Sequence, residues 1–331
     1  MASPSVLFIG GSGIISTSCV REAVDQGFDV TVLNRGTTDK RAIPDAVTRL
    51  QADVADRDAL EAAIGDQRWD VVIDFVAFTP DQVQRDIDVF TGRTNQYVFI
   101  SSASAYQTPA TRLPITESTP LKNPYWQYSR DKIACEDLLV KAYREDDFPM
   151  TIVRPSHTYD ETLVPFSGGW TVLGRMRAGK PIVITGDGSS LWTITHARDF
   201  AVGFVGLLDQ AEAIGEAFHI TGDEAPSWDR IAHEFAAAAG VDDLRIVHVP
   251  ADVIAAADPE WGAGLIGDKA NTSVFDNTKI KTLVPGFTQT TTIRQGAREI
   301  VAWFDADPSR QVVDEHLDAL MDELAERFSP S

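Results

Sequence analysis

Tyr128 and Lys132 stand four residues apart in the run Tyr128-Ser129-Arg130-Asp131-Lys132. On a helix that spacing puts both side chains on one face. A free tyrosine has a pKa of about 10 and is a poor base at neutral pH. A neighbouring ammonium lowers that value by about 1–3, which suits the phenol to proton transfer. Alone, the pair is equally an ordinary feature of an amphipathic helix. Its weight comes from what precedes it.

A glycine-rich turn comes first: Gly10-Gly11-Ser12-Gly13-Ile14-Ile15-Ser16 directly follows the apolar run Val6 to Ile9 and opens a helical stretch. Glycines allow a tight turn and a close approach of backbone to a pyrophosphate. The helix N-terminus offers free N–H groups and the positive end of its dipole. Read as GxGxxG, the match is Gly11, Gly13 and a small serine, Ser16, in the last place. The turn therefore reads as a dinucleotide cradle. An acid at the end of the second strand would bind a ribose 2′-OH and favour NAD. Here Asn34 and Arg35 hold that place. An amide does not repel a 2′-phosphate, and a guanidinium can grip one with two parallel hydrogen bonds. NADP is accordingly favoured over NAD, the alternative being that Arg35 is a solvated surface residue. Asp53-Val54 is expected to end the third strand and flank the adenine.

The run Tyr97-Val98-Phe99-Ile100 ends in Ser101-Ser102-Ala103-Ser104-Ala105-Tyr106. Ligands of open α/β sheets sit beyond the carboxyl ends of the strands. Ser101, Ser102 and Ser104 are therefore expected near the cofactor, with a hydroxyl available to a substrate oxygen. Serines that merely cap a turn are the plainer explanation for some of them.

These groups need a scaffold. Short apolar runs at 6–9, 30–33, 71–77, 97–100 and 151–153 alternate with helical stretches at about 17–26, 56–64 and 128–143. Continuous apolar runs are strands buried on both faces. Their alternation with helices implies βαβ units and a doubly wound parallel sheet, an α/β fold with right-handed crossovers. Residues 1–160 form the expected dinucleotide-binding domain, with returns at about 191–222 through a helix at 197–208 and a strand at 218–220. Residues 161–190 and 223–331 form a smaller, interleaved substrate-binding domain. In it a helix capped by Ser227 runs to about Ala239. The stretch 251–278 has weak periodicity and reads as irregular.

Composition limits the alternatives. The 331 residues carry a formal net charge of −20, a field that repels polyanions and argues against nucleic-acid binding. Cys19 and Cys135 have no CxxC partner and read as buried thiols; no metal site is indicated. The N-terminus lacks a basic n-region, and no apolar stretch approaches the ~20 residues that span a bilayer. A cytoplasmic protein without a membrane partner is expected.

Taken together, GGSGIIS, FISSASAY, YSRDK, TIVRPSHTYD, GDGSSLWTITHARDFA and FDNTKIKTLVPGF resemble the extended short-chain dehydrogenase/reductases, the NAD-dependent epimerase/dehydratase group, over nearly the whole chain. The resemblance implies catalytic Ser102, Tyr128 and Lys132, the lysine also holding the nicotinamide ribose. It implies that Gly10, Gly13 and Ser16 form the phosphate turn and that Phe75-Val76-Ala77 pass the cofactor. Pro155-Ser156-His157 would lead from nicotinamide to substrate. His157, His196 and Trp192 are candidates for the pocket wall, and family members often form homodimers through the YxxxK helix. On that helix Ala134, Leu138 and Ala142 form a stripe that would serve a partner or the chain's own core.

One departure stands out. Sugar-nucleotide members often carry an arginine where this chain has Trp192, and an indole cannot neutralise a diphosphate. Arg175 and Arg177 are the possible substitutes. VTVLNRG is similar to atypical relatives, including chloroplast stem-loop-binding proteins, many of which lack the tyrosine. The leading expectation is an NAD(P)-dependent oxidoreductase or epimerase acting on a sugar, sugar derivative or other hydroxylated small molecule. A nucleotide-sugar epimerase or dehydratase is one alternative. A non-catalytic NAD(P)-sensing or RNA-binding protein is the other, and it would not need Tyr128 with Lys132.

Overall fold

The computed structural model describes residues 3–36 and 41–328. Seven strands form one parallel sheet: β1 (Ser5–Ile9), β2 (Asp29–Asn34), β3 (Thr48–Gln51), β4 (Trp69–Asp74), β5 (Thr94–Ile100), β6 (Met150–Pro155) and, from much later in the chain, β10 (Ala217–Ile220). Their spatial order is β10-β6-β5-β4-β1-β2-β3. The chain winds outward from β1 in one direction, then returns to β4 and winds outward in the other. The reversal between β1 and β4 is where such a sheet opens a crevice for a ligand.

The strand sequences explain the two-sided burial. Val6 and Phe8 face one layer with Val30, Val32, Val71 and Ile73. Their neighbours Leu7 and Ile9 face the opposite layer with Leu33, Val72, Tyr97 and Phe99. Successive side chains point to opposite faces, so a wholly apolar strand stabilises both layers. Burying one such side chain fully contributes roughly 1.5–3 kcal/mol. On the first face lie α1 (Ile14–Asp25) and α6 (Ala197–Val205), joined through Cys19, Val20, Phe200 and Phe204. The other face carries α2 (Arg57–Ile64), α3 (Pro80–Phe90) and α4 (Gln127–Asp146), with Val83, Phe90, Cys135 and Leu139 turned inward. Cys19 and Cys135 are buried free thiols. Leu138 and Ala142 pack into this same core rather than standing clear of it.

The rest of the chain builds a second core. The short pair β7 (His157–Tyr159) and β9 (Ile194–His196) leads into it, and β8 (Ile182–Thr185) pairs with β11 (Ile246–Val249). Around them pack α5 (Trp170–Arg177), α7 (Trp228–Ala238), α8 (Ala251–Ala257), α9 (Pro259–Gly264), α11 (Ile293–Asp305) and α12 (Glu315–Phe328). Between them in sequence, α10 (Thr278–Leu283) returns to the first core, where Ile280 is buried. Ser227 caps α7 as expected, accepting from the Arg230 amide. The stretch 251–278 corrects the sequence reading. It is largely helical: α8 and α9 run into a π-helical turn, Leu265–Lys269. Its weak periodicity has a physical cause, since α8 buries only Ile254. β3 also stops at Gln51, short of Asp53. Among the described residues no helix is long and apolar enough to cross a membrane.

Candidate active site

A cleft of about 1370 Å³ opens over the carboxyl ends of β1, β4, β5 and β6. Gly10, Ser12, Gly13, Ile14 and Ile15 line one end of it. Gly10 has a φ of +85°, and a Cβ there would come within 2.5 Å of Val76 Cγ1. That backbone is open to glycine alone. Gly11 lies beneath the turn, buried, with its N–H donated to Asn34 Oδ1 at 3.0 Å. Ser16 accounts for its departure from glycine: its Oγ accepts the Gly13 N–H at 2.8 Å. The amides of Ser12, Ile14 and Ile15 have no acceptor among the described residues and lie at the cleft. They fit a pyrophosphate at a helix N-terminus.

Asn34 and Arg35 line the same end, Arg35 exposed and Asn34 half-buried. The Asn34 carboxamide oxygen is committed to Gly11, so only its NH₂ is available to a ligand. Asp53 and Val54 also line the cleft, from the loop after β3 rather than from the strand. Arg41 lies there too, paired with Asp160 at 2.6 Å and also bonded to Thr162. No local spacing links Arg41 to Asp160, so the sequence alone does not reveal that bridge. After β4, Phe75 and Val76 line the cleft. Ala77 does not; it is buried and contributes its carbonyl instead.

Tyr128 and Lys132 occupy the first turns of α4, on its cleft face. Lys132 Nζ donates to the carbonyls of Ala77 at 2.8 Å and Ile100 at 2.7 Å. It lies 4.6 Å from the Phe78 ring centroid and 4.7 Å from that of Phe99. Two carbonyl dipoles and two aromatic faces hold the buried charge. Of its three donors one remains for the cleft. Burial pushes the ammonium down to about 8, against the pull of Cys135, Asp74 and Glu136.

Tyr128 departs from the expected lowering. Burial pushes its phenol above the ordinary value, the hydrogen bond with Ser102 draws it back, and the Asp268 charge raises it again. The Tyr128 phenol therefore holds its proton more tightly than a free tyrosine does.

The serines divide by role. Ser102 bonds the Tyr128 phenol. Ser104 lines the cleft but is nearly buried, its Oγ 2.9 Å from Ser102 Oγ. Ser101 also borders the cleft, yet its hydroxyl turns inward to Glu136. Glu136 in turn pairs with Arg154, whose Nη1 donates to the Tyr106 hydroxyl at 3.1 Å.

Beyond Tyr128 the cleft runs to Pro155, His157 and Trp192. The His157 ring lies 4.8 Å from Trp192, which stacks on Trp228 at 4.6 Å. Burial, helped by the Lys269 charge, pushes His157 down to about 3, so the ring is neutral. Its Nε2 is buried without a partner in the described chain. His196 is not part of the wall; its Nδ1 caps α6. Arg175 and Arg177 are also elsewhere, held by Asp318, Asp322 and Asp305. Sequence reasoning missed Trp126, Asp268, Lys269 and Phe275, which complete this end. Asp268 and Lys269 belong to the π-helical turn, a distortion common at functional sites and without a spacing signature.

Comparison with known proteins agrees with this geometry. Residues 6–221 match the model of the NAD dependent epimerase/dehydratase family. A 2′-dehydrokanamycin reductase from Streptomyces kanamyceticus is 28% identical over 295 residues, covering 85% of this chain and 79% of that protein. The chloroplast stem-loop binding protein of 41 kDa b from Arabidopsis thaliana is 25% identical, over 73% of this chain and 65% of that one. A UDP-glucose 4-epimerase from Lactobacillus helveticus is 33% identical, but over 45% of this chain and half of its own length. In fold, the chain is similar to UDP-glucose 4-epimerase from Bifidobacterium longum, solved with NAD+ and UDP. The TM-score is 0.73 at 20% identity, over 92% of this chain and 99% of that one. Matched over residues 6–221, which span the main sheet, the chain belongs to the NAD dependent epimerase/dehydratase family and is an NAD(P)-dependent oxidoreductase or epimerase.

Proposed function

We propose that this protein is an NADP-dependent oxidoreductase that interconverts a carbonyl and an alcohol on a sugar or sugar derivative, and that it works chiefly as a reductase. The observation that carries the reading is Tyr128. It is protonated at neutral pH, lies beside Ser102, and sits over the ammonium of Lys132 at the open end of the sheet. A bound reduced nicotinamide would supply hydride. Tyr128 would then give its proton to the carbonyl oxygen while Ser102 donates a hydrogen bond to that oxygen as charge develops on it. The free donor of Lys132 would hold a ribose hydroxyl. Ser12, Ile14 and Ile15 would bind the pyrophosphate, with Pro155 and His157 beside the nicotinamide.

Arg35 supports NADP over NAD, since it stands exposed at the cleft beside an amide instead of an acid. The similarity to a reductase over 85% of the chain points the same way. The second core, from 161–190 and from 223 onward, would supply the substrate end.

The test is calorimetric titration of the cofactor-stripped protein with NADPH and NADH, joined to a carbonyl-reduction screen of wild type and Tyr128→Phe. Tighter NADPH binding that Arg35→Ala weakens, with turnover lost in Tyr128→Phe while NADPH still binds, is the expected result. Equal turnover by Tyr128→Phe would overturn the mechanism, and tighter NADH binding the cofactor assignment.

A further inference from the structure

The substrate end of the cleft holds one pair of opposite charges, Asp268 and Lys269, 3.7 Å apart. The Trp192 indole lies beside the Asp268 carboxylate and favours its charged form. Lys269 Nζ lies 5.6 Å from the Trp126 ring and 5.4 Å from that of Trp192. Both side chains remain about one-fifth exposed, so both reach the cavity. The pair sits close enough to Tyr128 for the Asp268 charge to act on its phenol.

This end is electrically balanced. A doubly charged diphosphate needs more than one cation, yet Lys269 is the single cation available here among the described residues. Lys132 is tied to two carbonyls. Arg175 is fully engaged by Asp318, Asp322 and the Pro181 carbonyl, and Arg177 by Asp305, both away from the cleft. Trp192 is apolar where an anion clamp would be needed. The net charge of −20 adds repulsion.

The same groups suit a ring of hydroxyls. A carboxylate accepts from two neighbouring hydroxyls, an ammonium donates to a third, and the half-buried Trp126 indole offers a face to the ring's C–H surface. The turn that carries the pair is pre-set. Asn123 Nδ2 donates to the Gly267 carbonyl at 2.6 Å, and a Cβ on Gly267 would come within 2.7 Å of Trp126 Cβ. Positions fixed before binding cost the ligand less to use.

We infer that Asp268 and Lys269 are the substrate-recognition pair of this cleft, and that they read an uncharged polyhydroxylated ring, a glycoside without a nucleotide diphosphate. The inference rests on the oxidoreductase reading above and narrows its substrate class.

The protein loaded with NADP would be titrated in the calorimeter with a panel of methyl hexosides, the matching methyl aminohexosides, and UDP with UDP-glucose. A neutral hexoside should bind best and UDP not measurably. Asp268→Asn and Lys269→Met should each weaken that hexoside by about 10- to 100-fold, the worth of hydrogen bonds to a charged group, with NADP affinity unchanged. Unchanged NADP affinity also certifies that the variants are folded. UDP or UDP-glucose binding more tightly than every hexoside would overturn the proposal. So would an aminohexoside preferred throughout, equal hexoside affinity in both variants, or no binding by any class while NADP binds. Failure of NADP itself to bind would instead strike the oxidoreductase reading.

Discussion

Ser129 Oγ donates to Ser104 Oγ across 2.8 Å, although the two serines are 25 residues apart and on different elements. Ser129 is on α4, wholly buried. Ser104 is on the 3₁₀ turn after β5. Because Ser104 Oγ accepts from Ser129, its own proton is free to be donated to Ser102 Oγ, 2.9 Å away. That oxygen also accepts the Ser104 amide at 3.1 Å. With both lone pairs used, the Ser102 proton is left for Tyr128 or a substrate oxygen. Ser129, buried behind Ser104, thus helps to aim the Ser102 hydroxyl from outside the cleft.

Ser129→Ala should therefore lower kcat by about five-fold, the worth of a ~1 kcal/mol hydrogen bond, while KM and NADPH affinity stay near wild type. Steady-state kinetics beside calorimetric titration will check it. A rise in KM with kcat unchanged would mean that the hydroxyl chain serves binding alone.

Lys132 predicts opposite pH trends for activity and stability. Burial holds its folded pKa at about 8, below the ~10.4 of an unfolded lysine. Between those values the unfolded chain binds a proton that the folded chain does not. This group's contribution to stability therefore rises as pH climbs through 8 towards 10.4. The ammonium needed beside Tyr128 is lost over the same climb, so reduction should slow above pH ~8. A pH–rate profile and thermal unfolding between pH 6.5 and 10 give the two readouts. Lys132→Met should abolish the alkaline limb of the rate profile together with most of the rate.

Arg154 and Glu136 form the costliest pair to break. They meet at 2.5 Å with both side chains buried. Removal of one partner strands a charge out of water, at a cost of about 3–5 kcal/mol. Arg154→Met should lower the urea midpoint accordingly. Arg154→Lys should recover only part of the loss, since a lysine cannot span both carboxylate oxygens as the guanidinium does. A midpoint unchanged in Arg154→Met would overturn the cost assigned to this pair.

The parts of this molecule that the sequence reveals are those whose signal is local. Val6 to Ile9 and Val71 to Ile73 read as buried strands because both their faces are covered. The turn at Gly10 and the four-residue step from Tyr128 to Lys132 each fit within one element. The substrate end has no such signal. Asp268 meets Trp192 through a fold in which neither residue marks the other, on a turn whose π-helical winding has no repeat. Arg41 and Asp160 meet the same way. Even the tyrosine's acidity escaped the spacing rule. That rule counts the ammonium four residues on, while burial and the distant Asp268 act in the opposite direction.

The late strand β10 has a consequence for how the chain comes apart. It is an edge of the main sheet, yet β8 and α5 precede it and α7, α8, α9, α11 and α12 follow in the second core, with α10 back against the first. The polypeptide shuttles between the two cores, so no single cut yields two self-sufficient pieces. A protease that nicks one connection leaves fragments still clasped together. A ribosome releasing the first 216 residues has made a sheet still lacking its β10 edge. Heating should melt both cores together, as one cooperative unit.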